Sequence, residues 1–171
     1  MTAFILTADL TARAPLAAAA SIAAASDWPR PSRGHGVLSW LATVLTNGGR
    51  SILTARVKTT SQTEPLNIGW GTGAGTSAAT DTTLFTEVDP GGSSTGSRTS
   101  GTSAQVTTTV TNDTYQVTGT RAATAALSIT NAGLWDNAAI GSGALFLKGD
   151  FASIGLASGD SIAFTIKLQF T

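Results

Sequence analysis

A chain of 171 residues suits one domain with an appendage and can remove roughly two-thirds of its unfolded surface from water. Charged residues are 12% of the chain and the net charge is +0. No cluster of Lys and Arg is present to displace counterions, which argues against direct nucleic-acid binding. The lack of cysteine and the single histidine, His35, exclude disulfides, thiolate metal sites and multi-histidine metal sites.

Low charge with no net charge favours association, and the chain reads as one that sits against neighbours. Residues 1–35 read as an N-terminal arm, and residues 36–171 as one β-sandwich domain. The arm opens with the apolar run Phe4, Ile5, Leu6. Its alanine-rich stretch at 16–26, LAAAASIAAAS, is too short and too weakly apolar to span a bilayer. Asp9 and the shortage of leucine also set it apart from a cleaved leader. Residues 27–31, with Trp28 before Pro29 and Arg30 between Pro29 and Pro31, are expected to form a rigid extended connector. Such an arm needs something to hold it, either a partner or its own domain. Phe4, Ile5, Leu6, Trp28, Arg30 and Trp40 are the candidate partner-interface residues.

Residues 37–46, VLSWLATVLT, predict a helix. Val37, Leu38, Leu41, Val44 and Leu45 share one helical face, and Asn47-Gly48-Gly49 supplies a terminator. Trp40 lies about 60° off that face. From residue 52 the period changes, and 52–58 predicts a strand. Residues 105–110 and 114–120 predict a hairpin turning at Asn112-Asp113. Shorter strands are expected at 126–130 and 144–151. In 161–171, Ile162, Phe164, Ile166, Leu168 and Phe170 alternate with Ser161, Ala163, Thr165, Lys167 and Gln169. That is a half-buried strand entered through Gly159-Asp160. The fold class is therefore mainly β: an antiparallel β-sandwich or jelly-roll-like domain with one short α-helix and an extended N-terminal arm. Residues 89–101, DPGGSSTGSRTSG, predict an exposed loop available to partners.

Gly69, Gly71, Gly73 and Gly75 recur at every second position. Residues 73–78 fit G-x-G-x-x-A, but that fingerprint needs a helix behind it to face a pyrophosphate. The following TSAATDTTLFTEVDP is threonine-rich and no crossover helix, and no Lys-Ser/Thr follows the glycines. The run is expected to be a tight loop where side chains would not fit.

Other chemistry is equally thin. Asp113, Asp150 and Asp160 sit beside turn-forming residues and are expected to form turns. His35, between Gly34 and Gly36, is poorly placed as a rigid general base. No D-x-D-x-D-G calcium loop is present. Trp70 and Trp135 are expected in the core, Trp28 at an interface. No catalytic, cofactor-binding or metal-ligating residue is assigned, and no cofactor is implied.

The segment IGWGTG at 68–73 with DTTLFTE at 81–87 resembles a family of small bacteriophage virion proteins. Further matches are TTTVTNDTYQV at 107–117, ITNAGLWD at 129–136, GDF at 149–151 and SGDSI at 158–162. The likeness spans residues 37–171. Asn131 and Trp135 stand where the pattern has Glu and Phe. It implies a structural, non-enzymatic part of the virion: a capsid cement (decoration) protein on the capsid surface, assembled in the host cytoplasm. Its expected partners are the major capsid protein and itself, as a homo-oligomer and by analogy a trimer. No nucleic acid and no membrane is implied. The alternative is a tail or head fibre module binding a host glycan through an exposed aromatic patch that includes Trp135.

Overall fold

The computed structural model describes residues 11–13, 42–59 and 61–170. The alternation at the C-terminus sets the architecture. Strand β10 (Ser161–Gln169) buries Ile162, Phe164, Ile166 and Leu168. It pairs along its whole length with β7 (Thr114–Ala122). Among the described residues one antiparallel sheet runs β1-β10-β7-β6, with β1 Thr11–Arg13 and β6 Thr102–Val106. The other runs β2-β9-β8-β3-β4, and β5 also pairs with β3. Its strands are β2 (Ala42–Leu45), β3 (Asn67–Gly71), β4 (Glu87–Val88), β5 (Thr99–Ser100), β8 (Leu127–Trp135) and β9 (Leu145–Leu156). Helix α1 is Asn47–Lys58.

The sheets bury a shared core. Ile162, Phe164, Ile166, Leu168 and Val117 from the first sheet meet Ile68, Trp70, Ile129, Leu134 and Phe146 from the second. Each such side chain contributes about 1.5–3 kcal/mol by leaving water. Trp70 and Trp135 are both buried, as expected. Phe170 is not: it sits past the end of β10 and is 47% exposed.

The helix is displaced from where periodicity puts it. Residues 42–45, expected as helix, form β2 against β9, with Ala42 opposite Asp150 and Leu45 opposite Leu147. Residues 47–58, expected as terminator and strand, form α1. A short apolar run fits a strand as well as a helix, and here the free edge of β9 decides it. Thr46 then caps the helix. Its Oγ1 accepts from Gly49 N at 2.9 Å and donates to the Leu145 carbonyl. Gly49 is glycine because a Cβ there would strike the Phe146 carbonyl and come within 2.7 Å of Leu45 Cδ1. Gly48-Gly49 thus allows a close approach to β9 rather than ending a helix. Residues 37–41 lie outside the described residues.

The hairpin is present but β6 ends early, at Val106. Residues 107–113 curl around Asp113, whose carboxylate accepts the N–H groups of Thr108, Thr109 and Val110 at 2.8 to 2.9 Å. Three convergent backbone donors win over continued pairing, and Asn112 takes φ 62.

Candidate functional site

Strand β3 has two unlike faces. Ile68 and Trp70 enter the core, while Gly69 and Gly71 lie beneath the segment from residue 72 to β4. A Cβ at Gly69 would meet Glu87 Oε1 at 2.5 Å. One at Gly71 would strike the Phe85 carbonyl, one at Gly73 would meet Thr86 Oγ1 at 2.6 Å, and one at Gly75 would enter the Phe85 ring. The space before the glycines is filled by the chain's own residues 84–87. The run is a bed for that segment rather than a phosphate cradle: side chains would not fit, as expected, but Gly69 and Gly71 lie in strand β3 and not in a loop.

Side chains from β8 and β9 pin the covering segment. Asn131 Oδ1 accepts from Phe85 N at 3.1 Å, and its Nδ2 donates to the carbonyls of Gly73 and Phe85 at 3.0 and 3.2 Å. An amide can do both, whereas an ionised carboxylate could only accept. Lys148, with no exposed side-chain surface, donates to Asp81 Oδ2 at 2.8 Å and to Thr83 O at 3.2 Å. Its Nζ also lies 3.1 Å from the Phe85 ring centroid. Burial would raise the Asp81 pKa, but the hydrogen bonds from Lys148 and Ala78 N–H lower it overall. Asp150 accepts from Ser77 N and Oγ at 2.5 and 2.8 Å. It is a clamp within β9, not the expected turn former. Asp160 does form its turn, accepting from Ala157 N at 2.8 Å.

A second cluster closes the neighbouring corner. Arg98 stacks 3.6 Å over the Trp135 ring and meets both Glu87 oxygens, at 2.6 and 2.9 Å. Its Nη1 donates to the carbonyls of Asn137, Ala139 and Ser142 at 2.6 to 2.9 Å. The loop at 89–101 was expected to be exposed for partners, and residues 91–97 are exposed, but Arg98 is buried. Five guanidinium donors in a fixed fork hold two loops at once, which lysine could not do. Inside the sandwich, Arg121 lies 4.8 Å from the Trp70 ring centroid and donates to the carbonyls of Ile68, Val88 and Ser97 at 2.9 to 3.2 Å. Burial pushes its pKa down to about 10, so it remains charged at neutral pH.

Arg98, Arg121 and Lys148 were not singled out from the sequence, though Lys148 left a signal: it directly follows the apolar run Leu145–Leu147 inside an expected strand. Arg98, in a Ser/Thr/Gly loop, gave none.

Phe4, Ile5, Leu6, Trp28, Arg30, His35 and Trp40 lie outside the described residues. Between α1 and the core is a crevice of about 60 Å³ lined by Ile52, Leu53, Arg56, Glu64, Pro65, Tyr115 and Phe146. That is well below the roughly 300 Å³ at which small-molecule sites begin. Tyr115 donates to Pro65 O at 3.1 Å. Burial and the neighbouring Glu64 push its hydroxyl above the usual pKa. Among the described residues no group of three His, Asp or Glu could hold a metal, and no helix is long and apolar enough to cross a membrane. Compared with family models, curated proteins and solved structures, the chain matches none.

Proposed function

We propose that this chain is a structural protein of a bacteriophage particle. In this reading it is a capsid cement protein on the shell surface, lying across joints between major capsid subunits and associating with itself, as a trimer by analogy. Three things support the reading. The first is the likeness of the segments at 68–73, 81–87, 107–117, 129–136, 149–151 and 158–162 to phage virion proteins. The second is the charge-poor, hydroxyl-rich composition. The third carries most weight. The buried cations Arg98, Lys148 and Arg121 each donate to backbone carbonyls and hold them in place. That is the construction of a rigid spacer. Many small contacts repeated over a symmetric shell then add through multivalency.

The arm beyond β1, with Trp28, Arg30 and Trp40, is the proposed contact with a neighbouring capsid subunit. The glycan-binding fibre reading loses its named platform, because Trp135 is 2% exposed and covered by Arg98. Co-sedimentation of the purified chain with empty shells of the major capsid protein tests the reading. Saturable binding is expected, weakened by Trp28→Ala with Arg30→Ala at an unchanged unfolding midpoint. No co-sedimentation would overturn it.

A further inference from the structure

Helix α1, NGGRSILTARVK, carries Arg50, Arg56 and Lys58 and no carboxylate. These cations are exposed, and so is Val57, at 90%. Carboxylates elsewhere are tied to the chain itself. Asp89, Asp113, Asp136 and Asp160 accept backbone N–H groups, and Asp81 and Glu87 pair with buried cations. A chain whose net charge is +0 thus turns a cationic face outward at α1.

The stability of the helix does not account for that face. Arg56 and Lys58 complement the C-terminal end of the helix dipole, but Arg50 stands in the first turn, where a cation is disfavoured. Val57 is β-branched and restricted in a helix, and it buries almost nothing in return. Residues three, four, seven and eight apart share a helix face, so Arg50, Leu53, Val57 and Lys58 form one strip. Leu53 also lines the crevice beside α1, together with Ile52, Arg56, Tyr115 and Phe146. An apolar path therefore runs from the crevice over Leu53 to Val57. Arg56 flanks it on one side, and Arg50 and Lys58 flank it on the other.

We propose that this strip and crevice are a docking site for a segment of another protein that presents one aliphatic side chain flanked by carboxylates. The crevice holds about 60 Å³. That is less than the roughly 150 Å³ that admits benzene, and it suits one branched aliphatic group. An anchor side chain in such a pocket is the usual centre of an interface. Carboxylates on the flanks meet Arg50, Arg56 and Lys58, which speeds encounter and fixes orientation more than it adds affinity. Arg56 donates to the Gln62 carbonyl at 3.0 Å, which steadies its guanidinium beside the crevice. A second copy is disfavoured, because two α1 faces would oppose like charges. Nucleic acid is disfavoured, because so few cations displace few counterions and phosphate leaves the crevice unfilled. This inference does not rest on the virion reading, and it is tested on the isolated full chain without shells.

The probe is the acetylated and amidated pentapeptide Glu-Glu-Leu-Glu-Glu, titrated into the isotope-labelled chain and followed by amide chemical shifts. Saturable shifts are expected at residues 50–58, Tyr115 and Phe146, with a Kd on the order of 0.1–1 mM. Replacing the leucine of the peptide by glycine should weaken binding about fivefold, because the crevice then stays empty. Val57→Ser, and separately Arg50→Glu with Lys58→Glu, should weaken it about as much at an unchanged unfolding midpoint. Absent shifts, or shifts centred elsewhere on the molecule, would overturn the site. Equal binding of the glycine peptide would overturn the anchor. Tighter binding of a thymidine pentanucleotide would make the partner a nucleic acid, and a dimer that Val57→Ser dissociates would make it a second copy. Either result would overturn the proposal.

Discussion

The outer face of the second sheet and the last strand of the first are specified in opposite ways. Over the second sheet, residues 72–87 are held by individual polar groups: Asn131, Lys148, Asp150 and, through Glu87, Arg98. Each bond has one geometry, and glycines remove the side chains that would hold the segment away. In β10 of the first sheet the specification is instead an alternation of buried apolar and less buried residues. Charge clamps fix one conformation at the cost of burying ions. A period-two pattern fixes which face of a strand is buried and hence its register.

The largest effect should come from breaking the clamp. Arg98→Ala leaves Glu87 buried without its partner and releases three carbonyls, and should cost about 3–5 kcal/mol, read as a lowered urea midpoint. Gly71→Ala forces a methyl against the Phe85 carbonyl and the Asn131 amide. It should cost about 1–3 kcal/mol by overpacking. A stability unchanged by Gly71→Ala would mean that the covering segment is not seated on β3. Thr46→Ala removes the cap of α1 and should cost about 1 kcal/mol in the same assay. Val57→Ser, at a site 90% exposed, should stay within about 0.5 kcal/mol.

A pH series sharpens the comparison at the Asp113 loop. Burial would raise this carboxyl, but N–H donation from Val110, Thr108 and Thr109 and the bond from Gln169 hold it well below the usual range. Its stabilisation is therefore complete above the ordinary Asp value of about 3.9 and fades as pH falls towards the lower folded value. Asp113→Asn should be less stable at neutral pH. The gap to the unaltered protein should narrow below about pH 4. A constant gap would show that the charge is not what matters.

What could be read from the sequence follows the same division. Alternation is local, so β10, the hairpin ending at Asp113 and the close packing at Gly69–Gly75 were all legible. The clamps were not, because their partners are distant in sequence: Arg98 meets Ser142, and Lys148 meets Asp81. The helix was misplaced for a related reason. VLSWLATVLT satisfies a helical face by itself, and only the free edge of β9 makes 42–45 a strand. Gly48-Gly49 reads as a terminator until the Phe146 carbonyl is seen beside it.

Copy number in purified phage particles, by quantitative mass spectrometry against the major capsid protein, tests the proposed role most directly. A stoichiometry comparable to the capsid subunit is the predicted result, because a cement works only by covering the repeated joints of the shell. A handful of copies per particle would place the chain in the tail or a fibre, and its absence from particles would contradict the virion role itself.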